Sequence, residues 1–321
     1  NKTDFNIYTK LNYALLNKLK TFIDLQYRYI DYSIDGIDDD LRNITQNHIF
    51  NFFNPKIGLF YEISDLHSSY LTLGIANREP NRSNYTDADP SKPLPTAETL
   101  YNLELGYELS ATTMYLSSNL YYMYYIDQLV LTGEINDVGA AILTNVDKSY
   151  RLGFELSGGI QPTKKLHISA NATISKNKIL NFTEYIDNWD TGIQAENNLG
   201  ETDLSFSPNI IANGKISYDL FKDFKAELIS KYVGKQYIDN TSNNDRSIDP
   251  YFVNDVKFAY KFETKLIKEI GISLLINNLF NHEYESNAWV YRYILGSEEY
   301  LMDGYFPQAG ISFVGGLTLK F

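Results

Sequence analysis

The sequence predicts an all-β protein, a transmembrane antiparallel β-barrel, and three regularities carry that prediction. Apolar and polar residues alternate at period two from one end of the chain to the other, as they do in strands with two unlike faces. Short turns alternate with long polar loops, the pattern of a barrel with one rim toward the periplasm and the other toward the exterior. An aromatic residue on the apolar side stands just before most of the short turns. A soluble sandwich would scatter its loop lengths, and strand propensity alone fixes no distance between a tyrosine and a turn.

The chain has 321 residues, a net charge of −12, no cysteine, and 27 tyrosines and 18 phenylalanines. That length suits one all-β unit over residues 1–321. The lack of cysteine excludes a disulfide framework and thiolate metal sites, and it accords with the bacterial cell surface. No run of about 18 apolar residues occurs, so no transmembrane helix is expected, whereas barrel strands hide their apolar residues at every second position. The acidic balance and the scattered lysines and arginines argue against nucleic acid. The opening Asn1-Lys2-Thr3-Asp4 has neither a start methionine nor a secretory leader, and it reads as a processed or partial chain.

Taken in order, the first run sets Ile7, Thr9, Leu11 and Tyr13 against Asn6, Tyr8, Lys10 and Asn12. A short turn at Asn17-Lys18 and a long loop at Asp35–Gln46 precede the turn at Ser64–Ser68. The next upward run puts Leu71, Leu73 and Ile75 outward, with Tyr70, Thr72 and Arg78 inward, and leads to the long loop Glu79–Thr96. Tyr101, Leu103, Leu105 and Tyr107 then oppose Asn102, Glu104, Gly106 and Glu108, before the turn at Ser110–Thr113 and the loop at Leu129–Val146. Around the turn at Gln161–Lys164, Tyr150, Leu152, Phe154, Leu156, Leu166, Ile168 and Ile174 share the apolar face, and Arg151, Glu155, His167 and Asn171 the polar one. Long loops at Leu180–Phe206, Asp239–Asp249 and Asn281–Pro307 alternate with turns at Phe221–Phe224 and Glu263–Lys268. The final run carries Ile311, Phe313, Leu317, Leu319 and Phe321 on one side.

Tyr13, Tyr61, Tyr107, Tyr218, Tyr260 and Phe321 are expected to form the periplasmic aromatic girdle, where amphipathic rings settle at the headgroup level. The count comes to about thirteen strands, the first and the last both running toward the periplasm, whereas single-chain bacterial barrels have an even number. Every strand edge in lipid needs a partner, so strands preceding Asn1 are expected to complete the wall.

With these features the chain resembles the C-terminal part of TonB-dependent outer-membrane receptors over essentially its whole length. Asn277-Asn278-Leu279-Phe280-Asn281-His282-Glu283-Tyr284 is similar to the family's N-L-F-[ND]-x-x-Y motif after the penultimate strand. Tyr305-Phe306-Pro307-Gln308-Ala309-Gly310 resembles the P-x-x-G-R lead into the last strand, with Ile311 where the family often has arginine. Pro95-Thr96-Ala97-Glu98 before Asn102-Leu103-Glu104-Leu105-Gly106-Tyr107 resembles P-E-x-x-x-x-x-E-x-G, and Arg78-Glu79-Pro80 resembles R-x-P. Gly316, Leu319 and Phe321 resemble the signal read by the barrel-assembly machinery, with Val314 where a polar residue usually begins it. The resemblance implies a barrel of about 22 strands around a plug, of which this chain would supply about 13 C-terminal ones. It also implies an integral place in a Gram-negative outer membrane among lipid and lipopolysaccharide. The upstream part of the same barrel, the TonB complex acting through the missing plug, and a small nutrient ligand such as an iron-siderophore, haem or vitamin are the partners implied.

No cofactor, metal site or catalytic group is expected. His48, His67, His167 and His282 lack ligand spacing, and the acidic loop residues Asp187, Asp190, Glu196 and Glu201 come with no nucleophile motif. Candidate ligand-binding residues are Arg78, Arg82 and Tyr85 by the loop after the upward strand, and Trp289, Tyr291 and Tyr293 in the last long loop. Exposed aromatics suit a flat or amphipathic cargo, and a lumenal arginine an anionic one or the plug. Packing within the loop is the competing role for these aromatics. Energised import is the leading function, a passive porin-like channel the alternative, and an outer-membrane barrel enzyme the third.

Overall fold

A computed structural model of the chain describes residues 1–37, 41–86, 88, 94–135 and 141–321. The centres of three expected loops, at 38–40, 89–93 and 136–140, lie outside these. Among the described residues no helix is long and apolar enough to cross a membrane, which leaves crossing by strands untouched.

The strands are β1 (Lys2–Leu16), β2 (Leu19–Ile34), β3 (Gln46–Glu62), β4 (His67–Arg78), β5 (Glu98–Ala111), β6 (Met114–Ile135), β7 (Ala141–Thr163), β8 (Leu166–Asn188) and β9 (Ile193–Asp203). They continue with β10 (Ile210–Phe221), β11 (Phe224–Val233), β12 (Gln236–Tyr237), β13 (Ser247–Ile248), β14 (Tyr251–Phe262), β15 (Glu269–Asn277), β16 (Glu285–Leu295), β17 (Glu298–Pro307) and β18 (Ser312–Lys320). A single helical turn, α1 (Arg82–Thr86), lies between β4 and β5.

One sheet of 16 strands forms the body, and 13 of them follow one another in the order β1-β2-β3-β4-β5-β6-β7-β8-β10-β11-β14-β15-β18. All these neighbours are antiparallel, as chain reversal at each short turn requires. The expected number of wall strands is thus present, and the sheet does not close, because β1 and β18 are not neighbours in it.

The register makes the alternation two continuous faces. Leu59, Leu71, Leu105, Leu120, Phe154, Ile174 and Ile210 are successive cross-strand partners and all are exposed. Tyr70, Gly106, Asn119, Glu155 and Thr173 make the matching row on the other face. A slip of one residue at any strand would exchange the faces, so seven apolar partners in line fix the register strongly. On the polar face an aromatic residue on an upward strand lies flat over a glycine on the next. A Cβ at Gly58 would stand 2.3 Å from the Phe22 ring, at Gly106 2.1 Å from Tyr70, and at Gly153 2.4 Å from Tyr121. Each glycine is the ring's direct cross-strand partner, so the missing side chain gives the ring its bed.

Three of the expected long loops are largely strand. At Leu129–Val146 the β6–β7 ladder continues through Gln128↔Val146 to Leu131↔Leu143. Leu180–Phe206 holds the rest of β8 and all of β9, and Asn281–Pro307 holds the β16–β17 hairpin. These segments lack the sustained alternation of the wall strands, since a hairpin that touches other loops on either side needs no single apolar face.

Candidate functional site

The long-loop side of the wall carries a roof with two small cores. Val130, Val146, Ile179, Phe182 and Leu204 pack together over β6–β9, and Ile238, Ile248, Ala288 and Val290 pack where β12–β13 meets β16. Phe206 covers the second of these.

The path of β16–β17 follows from strand pairing. Lys178 and Ile179 of β8 pair with β7 on one edge and β9 on the other. Asp187 and Asn188, farther up β8, pair with Gln194 and Ile193 of β9 and also with Tyr293 and Ile294 of β16, in parallel. Hence β16 occupies the edge of β8 that faces β7. The hairpin is rooted between β15 and β18, beyond β10, β11 and β14 on the opposite side of β8. It therefore leans from its root over β12–β13, which joins β11 and β14, to the end of β8.

Its root is pinned by asparagines of the Asn277–Tyr284 motif. Asn278 and Asn281 have φ of 48° and 50°, the left-handed region that asparagine tolerates better than most residues. The buried Asn278 amide donates to the carbonyls of His282 at 2.8 Å and Ala309 at 3.2 Å, so one side chain ties both feet of the hairpin. Asn281 Oδ1 accepts from Ile311 N at 2.9 Å.

The tip is held by charge and by stacking. Arg246 is 5% exposed, and its Nη1 donates to Glu184 Oε1 at 2.9 Å and to Asp239 Oδ2 at 2.6 Å. Arg292 of β16 donates to the same Glu184 oxygen and to Glu299 of β17. Burial pushes the Asp239 carboxyl up from its ordinary range, with Arg246 pulling the other way. Asp190 accepts from the backbone of Gly296 and Ser297, both at 2.8 Å, and these donors hold its carboxyl below the usual range.

The last-loop candidates all lie on one face of this hairpin. Tyr293 stacks on Trp189 with centroids 4.2 Å apart and on Tyr300 at 5.2 Å. Tyr291 donates to Asp187 Oδ2 at 2.9 Å, and the Trp289 ring lies over Gly304, where a Cβ would be 2.4 Å away. Trp189 and Tyr300 leave the stack open at its outer ends, at 56% and 41% exposure.

The loop after β4 is anchored instead to the wall. Arg78 Nε meets Glu98 Oε1 at 2.9 Å, and Glu98 Oε2 accepts from Leu129 N at 3.1 Å. The R-x-P and P-E segments are thus cross-strand partners. Tyr85 is buried and stacks on His48 at 4.1 Å, and burial pushes its hydroxyl up to about 12. Glu79 binds Lys2 at 2.7 Å and Arg28 at 3.0 Å, while Arg82 stays exposed. Of the expected contacts, Arg82 is exposed, Arg78 is exposed but paired with Glu98, Trp289, Tyr291 and Tyr293 are half-buried in the packing of the hairpin, and Tyr85 is buried.

Sequence reading did not single out Trp189, Glu184, Arg246 or Arg292. Glu184 lies 62 residues from Arg246 and 108 from Arg292, and only the packing of the hairpins brings them together. Asp187 and Asp190 have hydrogen-bond duties in the roof, while Glu196 and Glu201 are exposed. At the end of the wall, Gly316 pairs with Ser273, Leu319 is 43% exposed and Phe321 89% exposed.

Comparison with known proteins agrees with this geometry. The sequence model of a family described as TonB dependent receptor-like, beta-barrel matches residues 1–279. No curated protein matches the chain. Among solved structures, the ferric-catecholate import receptor Fiu of E. coli K12 in its closed form aligns with TM-score 0.68 at 16% identity, covering 98% of this chain and 44% of that one. The siderophore receptor PiuA of Acinetobacter baumannii gives TM-score 0.73 at 16% identity, with 98% and 43% covered. The ferric yersiniabactin uptake receptor FyuA of Yersinia pestis gives 0.65 at 17%, with 98% and 45% covered. The chain spans less than half the length of each of these receptors, and at such identities the likeness is one of fold.

Proposed function

This chain belongs to the TonB-dependent receptor β-barrel family, and from that premise we propose that it forms wall and mouth of an energised importer of a scarce nutrient, an iron-siderophore, haem or vitamin, in a Gram-negative outer membrane. The observation that carries the reading is the union of an unclosed 13-stranded wall with a built roof on one rim. A passive pore needs a wall, but a roof with its own cores and a buried ion cluster suits a receptor that holds cargo. The upstream strands and a plug complete the lumen, and TonB acts through that plug.

In this reading Tyr13, Tyr61, Tyr107, Tyr218, Tyr260 and Phe321 stand at the periplasmic headgroups, and Gly316, Leu319 and Phe321 guide assembly. Cargo contacts come from Trp289, Tyr291 and Tyr293 with Trp189 and Tyr300 beside them, and from Arg82. Arg78 serves the wall through Glu98 and presents its remaining guanidinium nitrogens to the lumen.

The test uses the full-length receptor in its own cells. Uptake of labelled ferric siderophore, haem and cobalamin is measured with and without a protonophore. Import of one of them that stops when the proton gradient is dissipated supports the reading. Entry that continues unchanged would identify a passive channel, and hydrolysis of an offered ester by the purified receptor would favour an enzyme.

A further inference from the structure

We propose that the tip where the β8–β9 turn meets the β16–β17 hairpin is a subsite for a flat, positively charged group of the cargo, held on the open ring faces of Trp189 and Tyr300 beside Asp187, Asp190 and Glu298. The inference rests on the receptor reading and adds to it the charge of what is taken up.

Three observations carry it. The first is the stack itself. Tyr293 is half-buried and lies nearly parallel to Trp189 and to Tyr300, with interplanar angles of 17° and 12°. The two outer rings are exposed, so the stack ends in aromatic faces open to water. Such a face carries the negative part of the ring's quadrupole, which draws a cation and repels an anion.

The second is that the carboxylates beside the stack are uncompensated. Asp187 accepts from the Tyr291 hydroxyl at 2.9 Å and from the Gln194 amide at 2.7 Å, and Asp190 from the backbone of Gly296 and Ser297. Glu298 is exposed, with the Tyr300 hydroxyl 3.5 Å away. Among the described residues none of the three meets a lysine or arginine, and Arg292, the cation of this hairpin, is shared by Glu184 and Glu299. Neutral donors fix Asp187 and Asp190 in place without cancelling their charge. The backbone donors hold the Asp190 carboxyl below the usual range, so it stays ionised at neutral pH.

The third is that the surroundings have the same sign. The roof segments 183–206, 235–249 and 281–307 carry fourteen carboxylates against three cations, Lys235, Arg246 and Arg292. That excess concentrates cations at the mouth, an effect that salt weakens. An anionic group is repelled by field and ring alike, and a neutral one gains only contact area.

The experiment uses the purified full-length receptor in non-ionic detergent and two probes that share one ring system, N-methylacridinium and acridine carboxylate. The cation is expected to bind about tenfold more tightly, read by quenching of its fluorescence. Trp189→Leu with Tyr300→Leu keeps apolar contact but removes the ring faces, and it is expected to cancel most of that preference, whereas Trp189→Phe with Tyr300→Phe retains it. Glu298→Gln, at an exposed position, is expected to weaken the cation about twofold. Equal affinity for the two probes, or a preference untouched by the leucine pair, overturns the subsite. Import that depends on the proton gradient would stand in either case, so the receptor reading would survive. Displacement of the bound probe by magnesium, at an ionic strength where sodium has no effect, would assign the carboxylates to divalent cations and also overturn the subsite.

Discussion

The wall and the roof are built of the same antiparallel hairpins, yet they hold together in different ways. In the wall, each strand meets the wall strands that come before and after it along the chain, and a residue's surroundings are set by its parity: Leu120 on one face, Asn119 on the other. In the roof, residues from β8, the β12–β13 loop and β16 meet around one carboxylate, and parity says little. The wall's specificity is repeated and shared among many residues. The roof's is concentrated in a few buried groups. A single substitution should therefore damage the roof deeply but locally, and the wall more mildly but along its whole height.

The largest effect is expected at Arg246. Arg246→Ala leaves Asp239 buried without its cation and removes one of two partners of Glu184, and losing one member of a buried pair typically costs about 3–5 kcal/mol. Hydrogen exchange should show the β8–β9 tip, the β12–β13 loop and β16–β17 opening together while β1–β5 stay protected. Loss of protection throughout the wall would deny that roof and wall are separate units.

Next comes the apolar row. Leu120→Lys puts a charge among Leu105, Phe154 and their partners, at an expected cost of about 2–4 kcal/mol near the bilayer midplane. Asn119→Lys, one residue away on the polar face, should fold with close to parent yield. Heat-modifiable mobility of the two full-length variants makes the comparison, and equal loss in both would show that the faces are misassigned.

Gly106→Ala probes the wall on a smaller scale. A methyl 2.1 Å from the Tyr70 ring must push that ring off its bed, and such overpacking costs about 1–3 kcal/mol. Tyr70→Ala in the same chain should recover most of that loss, which a double-mutant cycle on denaturation midpoints measures.

The same contrast explains what was legible in the sequence. Leu71, Leu73 and Ile75 against Tyr70 and Thr72 revealed strand, face and direction, because a strand between two unlike media must alternate. The short turns could be read as well, since they interrupt that alternation. The roof hairpins could not: Ile193-Gln194-Ala195-Glu196-Asn197-Asn198 has no clean alternation, because β9 meets water and other loops. Nor does local sequence mark Arg246 as buried or Glu184 as its partner. Trp289, Tyr291 and Tyr293 lay between, visible as a period-two aromatic run, while the stacking partner Trp189 came from another hairpin.

The smallest expected effect separates wall from roof by pH. Asp190 holds the Gly296 and Ser297 amides, and these hydrogen bonds lower its pKa from the ordinary 3.8. A carboxylate with a depressed folded pKa contributes stability that is complete above the unfolded value and fades as pH falls through the folded one. The tip of the β16–β17 hairpin should therefore keep its mobility unchanged from neutral pH down to about pH 5 and loosen only below the ordinary carboxylate range. A spin label at Glu298, exposed beside the turn, reports the tip, and one at Leu120 reports the wall, where no matching change is expected. Asp190→Asn should flatten the response at Glu298, since the amide oxygen still accepts a hydrogen bond but carries no titrating charge. Loosening that begins well above pH 5, or that persists in Asp190→Asn, would assign control of the tip to another group in the roof.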